Sequence, residues 1–149
     1  MYLQCYLRKG VVYIPTSGMI EQGFYRGIEP VAVIPLSSTD ALRRAFAETI
    51  ARGNPKVPSL KRSEHPPPVL PKYAGVKSWN TFARDAMVWA IDERNGIFKI
   101  VAYRKDPPGG WREDKDKHET FPSGATVAEV VERIIAILQQ TDSTSSSNE

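Results

Sequence analysis

The pair Asn95-Gly96 limits what this chain can fold into more than any other feature. Both residues accept the positive φ that a type I′ turn requires, and that turn's twist matches the twist of two paired strands. The flanks agree with it. Residues 87–94 and 97–104 are rich in Val, Ile, Trp, Phe and Tyr, which suit a pleated, half-buried surface. Counting outward from the turn sets Ile91 against Ile100 and Trp89 against Ala102 on one face. The same register sets Asp92 opposite Lys99, a cross-strand pair of opposite charge. A hairpin with an apolar face must have that face covered, so the rest of the chain has to supply the cover.

Residues 2–14 read as a second hairpin. Leu3, Cys5 and Leu7 alternate with Tyr2, Gln4, Tyr6 and Arg8, and Val12 and Ile14 continue the apolar face past Lys9-Gly10. Lys9 suits positive φ less well than Asn does. A further strand is predicted through Val31-Ala32-Val33-Ile34, where Pro30 and Pro35 confine it and place it near a sheet edge. Helical spacing follows over residues 39–52: Leu42, Ala45, Phe46, Thr49 and Ile50 form one stripe, Ser38 or Thr39 caps the start and Gly53 stops the end. A short helix is predicted over 78–84, with Ser78 as cap and Trp79, Phe82 and Ala83 as its apolar side. The last helix spans 127–139, opened by a Thr126/Glu129 capping box and buried along Val127, Val130, Val131, Ile134 and Leu138.

Two segments break these patterns. Residues 54–72 hold six of the twelve prolines, and proline removes a backbone donor, so an extended connector with few ladder bonds is expected. Residues 141–149 are Ser/Thr-rich, have nothing to bury, and are expected to be disordered. The resulting expectation is a single α+β domain over 1–140. An antiparallel sheet carries two main helices on one side, and the Pro-rich connector joins two halves.

At 149 residues there is room for one such domain, and no apolar run approaches the roughly 18–20 residues of a membrane span. The N-terminus lacks the basic start and long apolar stretch of a secretory signal. A single cysteine makes no internal disulfide, in keeping with a cytoplasmic setting. The net charge of +3 hides an asymmetry: residues 1–77 carry eleven basic and five acidic side chains, and residues 78–149 carry nine and twelve.

Catalytic signatures are sparse. Gly109-Gly110 is followed by Trp111 rather than by a helix bearing Lys-Ser/Thr, so it is no phosphate loop. Cys5 falls on an apolar strand face. Cys5, His65 and His118 lie far apart without a second ligand at zinc spacing, so neither metal nor cofactor is expected. His118 and Glu119 are sequence neighbours, and neighbours on a strand point to opposite faces. Glu113-Asp114-Lys115, with Asp116 and Glu119 nearby, is the one fragment resembling a metal-dependent hydrolase site. Tyr6, Tyr13 and Tyr25 with Arg8, Lys9 and Arg26 are the residues from which the basic half could build a nucleic-acid platform.

One resemblance reaches further. From Lys72 to Leu138, the residues Gly75-Val76-Lys77-Ser78-Trp79 and Phe82 combine with a hairpin centred on Ile91, Ile97 and Ile100. Gly110-Trp111 and a final helix with Glu129 and Ile134 complete a pattern that resembles immunity proteins of bacterial contact-dependent growth inhibition systems. The resemblance implies a small cytoplasmic protein without catalytic machinery. Such a protein binds and blocks the toxic C-terminal domain of a delivered effector, often a nuclease. Trp111, Glu113, Asp114, Asp116 and Glu119 are the expected partner surface, an aromatic anchor among carboxylates facing a basic groove.

Overall fold

The turn at Asn95-Gly96 has the geometry its residues dictate, with φ of 54° and 79°. It joins β4 (Ala86–Arg94) to β5 (Ile97–Lys105), antiparallel, in the expected register: Trp89 opposite Ala102, Ile91 opposite Ile100, Asp92 opposite Lys99. The structure is a computed structural model that describes residues 1–21, 23–64, 66–106 and 110–147, with the backbone alone at 62 and 144–147. The first hairpin pairs β1 (Tyr2–Arg8) with β2 (Val11–Glu21), Arg8 opposite Val11. Its turn also has two positive φ values, 50° at Lys9 and 76° at Gly10. Lysine therefore holds a position that asparagine or glycine fills more readily.

β1 lies antiparallel to β4, with Leu3 opposite Ile91, Cys5 opposite Trp89 and Leu7 opposite Met87, which fuses the two hairpins into one sheet. The strand order is β3-β2-β1-β4-β5-β6, where β3 is Phe24–Pro35 and β6 is Trp111–Glu113. A two-residue β7 (Glu119–Thr120) pairs with the other end of β5, on the edge that β6 also uses. The alternating apolar set of Leu3, Cys5, Leu7, Val12, Ile14, Trp89, Ile91, Ile100 and Ala102 forms one buried face.

Two main helices cover that face. From α1 (Thr39–Arg52) come Leu42, Ala45 and Phe46; from α4 (Val127–Ser147) come Val130, Val131, Ile134, Ile135 and Leu138. The helices are tied by Arg43 to Glu132 and by Gln139 Nε2 donating to Thr39 Oγ1 at 3.1 Å. Their ends follow sequence chemistry except at the start of α1, where Ser38 makes no side-chain cap hydrogen bond and Thr39 Oγ1 accepts from Gln139 instead. The Thr126/Glu129 capping box forms, the Glu129 N–H donating to Thr126 Oγ1 and the Thr126 N–H to Glu129 Oε2, at 3.2 and 3.3 Å. Gly53, at φ 73°, ends α1 with its N–H donating to the Thr49 and Ile50 carbonyls.

The opposite face has a smaller core. α2 (Leu70–Ala74) and α3 (Trp79–Arg84), the latter capped by Ser78 Oγ accepting from the Thr81 N–H at 3.1 Å, bring Leu70 and Phe82 onto Tyr6, Tyr13, Ala86 and Val88. The two main helices thus share one side, while short helices cover part of the other.

Three local expectations change. β2 runs on to Glu21 and β3 begins at Phe24, so the β2–β3 hairpin is far longer than residues 12–14 and 31–34 indicate. Gly18, Gly23, Gly27 and Pro30 hide the strand pattern, and a register shift between Pro15 and Thr16 interrupts the alternation. Among the described residues the connector's ladder bonding is one bridge to β2. The Met19 N–H donates to the Pro55 carbonyl at 2.8 Å and the Val57 N–H to the Met19 carbonyl at 3.0 Å. Its last residues, from Leu70, are helical, because Pro71 sits in the first turn where no donor is needed. Finally, α4 passes the expected end at Gln139 and reaches Ser147, since no Gly or Pro stops it; residues 148–149 lie outside the described residues, as does His65.

Candidate binding face

Strand alternation sends Tyr2, Gln4 and Tyr6 of β1 to the side away from α1 and α4. α2 and α3 reach over Tyr6 only, so the end of the sheet around Tyr2 stays uncovered. There the surface is concave, a cleft of ≈ 510 Å³ lined by Tyr2, Gln4, Tyr25, Val101, Tyr103 and Glu113.

Two features hold it open. β1 and β2 are paired only from Tyr6 to Arg8, so the β2–β3 hairpin diverges from Tyr2. Asn54, directly after the glycine that ends α1, fills the gap as a peptide bond would. Its Oδ1 accepts from the Tyr2 N–H at 2.9 Å, and its Nδ2 donates to the Tyr2 and Ser17 carbonyls at 2.7 and 2.8 Å. At the far end of the hairpin the Tyr25 ring stacks on Tyr2, centroids 4.6 Å apart at 23°. Beside it Phe24 projects with 63% of its surface exposed.

Two phenols, Tyr2 and Tyr103, line the floor. The Tyr6 hydroxyl, buried outside the cleft, donates to the cleft residue Gln4 at Oε1, 2.9 Å away. Burial, reinforced by Tyr103, raises the Tyr2 phenol well above its ordinary value; burial raises Tyr6 and Tyr103 too. These groups remain protonated donors throughout the physiological range. The rim carries both signs: Asp92 pairs with Arg94 at 3.2 Å, Lys99 stands opposite Asp92, and Glu113 is exposed. Such a surface can stack a planar group, donate from its phenols and accept at Glu113.

Of the expected partner surface, only Glu113 lines this cleft. Trp111 is turned inward, edge-on to Tyr6 at 6.0 Å and Trp79 at 5.9 Å, with its Nε1–H donating to the Ala86 carbonyl at 3.2 Å. It closes the second core. Asp114 pairs with Lys117 at 3.9 Å, and its N–H donates to the Ala102 carbonyl at 2.8 Å. Glu119 receives both arms of Arg133 from α4, at 2.7 and 3.0 Å, and Asp116 lies beside it in a separate depression reaching α4. Residues 111–120 cross the sheet edge through the 3-10 turn Lys115–Lys117, so sequence neighbours end on opposite sides.

The platform expected on the basic half is likewise divided. Tyr6, Tyr13 and Arg8 are buried, and Arg8 pairs with Asp85 at 3.6 Å, while Tyr25 reaches the cleft. Among the described residues no three His, Cys, Asp or Glu side chains are grouped to hold a metal ion, and no helix is long and apolar enough to cross a membrane. Burial pushes the Cys5 thiol up to about 12. Sequence reasoning missed Phe24 and Tyr103 of the cleft and Asn54, which braces β1 beside it. The adjacent aromatics Phe24-Tyr25 were the available signal, hidden between Gly23 and Gly27.

No family model matches the chain, and no curated protein matches it. Among solved structures it is similar to NMB0488 from Neisseria meningitidis, a protein of unknown function. The TM-score is 0.63 at 15% sequence identity, covering 87% of this chain and 88% of that one. At that identity the likeness is one of fold.

Proposed function

We propose that the protein is a non-catalytic binding protein of the immunity type, which neutralises a cognate toxin domain by covering it in the cytoplasm. The observation that carries this reading is the uncovered end of the sheet. Exposed Phe24 beside the half-buried Tyr2–Tyr25 stack, ringed by charges of both signs, suits a protein partner better than a reacting centre. The resemblance over residues 72–138 points the same way. A partner seated here would cover the cleft, Phe24 and the charged rim together. The toxin is then the C-terminal domain of a large effector encoded beside this chain, with a nuclease as the first candidate.

The test is co-expression with that domain. A one-to-one complex that survives gel filtration, and growth of cells that otherwise die, are the expected results. Full toxicity in the presence of excess protein overturns the reading.

The same face supports a second reading. The Tyr2–Tyr25 stack and exposed Phe24, next to Arg94 and Lys99, form the kind of platform on which single-stranded RNA stacks. It demands affinity for an oligonucleotide that falls steeply with salt; a flat response eliminates it.

A further inference from the structure

A second groove, of ≈ 730 Å³, lies where the connector returns past β3 toward α2 and α3. Its walls are mainly apolar: Pro15, Ile28, Pro67, Leu70 and Trp79. Two cations border it. Lys72 is committed, its Nζ donating to Glu29 Oε1 at 2.6 Å, with Tyr73 on the same oxygen at 2.8 Å. Arg26 is not committed. Among the described residues it has no ion pair, and its Nε and Nη1 are shielded from solvent without an acceptor. A guanidinium keeps its charge at any physiological pH, so a half-buried one without a counter-ion favours an arriving anion.

We propose that this groove binds a small amphipathic carboxylate, an aromatic or medium-chain organic acid, with its apolar body on the proline and Trp79 walls and its carboxylate at Arg26. The volume falls in the range of small-molecule sites, about 300–1,000 Å³. With Lys72 and Glu29 neutralising one another, Arg26 is the uncommitted charge at the border of an apolar trough and provides for one charged end. The groove shares Gly27 with the tyrosine cleft, but the carboxylate site at Arg26 does not depend on toxin binding.

Trp79 is a built-in reporter. The purified chain is titrated with decanoate below its micellar range, following tryptophan fluorescence and heat, and in parallel with decanol. Saturable one-to-one binding of decanoate is expected, with decanol and the Arg26→Met variant each weaker by about tenfold or more, the loss of one charge-assisted contact. Arg26→Lys retains the charge and binds within a few-fold of the parent. Absence of saturable decanoate binding overturns the proposal, and so does equal affinity for decanoate and decanol. That comparison uses the unaltered chain and decides the matter even where Arg26→Met does not fold.

Discussion

At the scale of single residues, burial separates side chains that hold the structure from those that face a partner. Trp111 sits among acidic residues in the sequence, yet its ring is packed on Tyr6 and Trp79 and its one donor is used by Ala86. Trp111→Ala is therefore expected to lower stability by about 3 kcal/mol in urea unfolding, against within about 0.5 kcal/mol for an exposed residue. Cys5 is the parallel case. With its thiol pushed up to about 12 by burial, it should resist thiol reagents at pH 8 until the protein unfolds, which a labelling time course in urea measures. The same shift fixes a sign. A thiol of ordinary value 9.0 ionises more readily in the unfolded chain, so stability declines as pH rises above 9.0. The raised phenols of Tyr2 and Tyr6 extend that decline beyond their ordinary value of 10.0. A urea midpoint that stays constant between pH 8 and 11 would contradict it.

At the scale of elements, local chemistry was read well where it was local. The Asn95-Gly96 register, the Ser78 cap and the Thr126/Glu129 box are formed by residues within a turn or two of one another. Reading failed where strands depend on distant partners. β2 and β3 extend along one another past Pro15, with their alternation broken by glycine and a register shift, so period-two reasoning lost them. The Lys9-Gly10 turn shows the reverse case: a tertiary sheet imposes positive φ on a lysine. Lys9→Asn should stabilise the protein by about 0.5–1 kcal/mol, because asparagine enters this region at lower cost. The weak 4.0 Å approach of Lys9 to Asp85, between partly exposed groups, offsets little of it. A thermal midpoint unchanged or lowered by the substitution would count against this account.

At the scale of the whole molecule, the two hairpins meet through β1 and β4, and every feature of the tyrosine cleft depends on that union. Phe24 contributes little to the core at 63% exposure, so Phe24→Ala should leave stability within about 0.5 kcal/mol while weakening binding of the proposed toxin partner about tenfold or more. Calorimetry of the variant against the toxin domain separates the two effects, and unchanged affinity would remove Phe24 from the interface. Of the candidate surface residues only Glu113 lines the cleft, because a loop that crosses a sheet edge places successive side chains on different sides. The sequence by itself determined the α+β class, the apolar face of each hairpin and the apolar stripes of the main helices, since turn preference and period act over a few residues. Only the tertiary structure decided that α2 and α3 cover part of the second face and that Asn54 spans the gap beside Tyr2. It alone brought Tyr2, Tyr25 and Tyr103 together. Those outcomes depend on pairing between segments more than twenty residues apart, and no local pattern encodes which distant strands will meet.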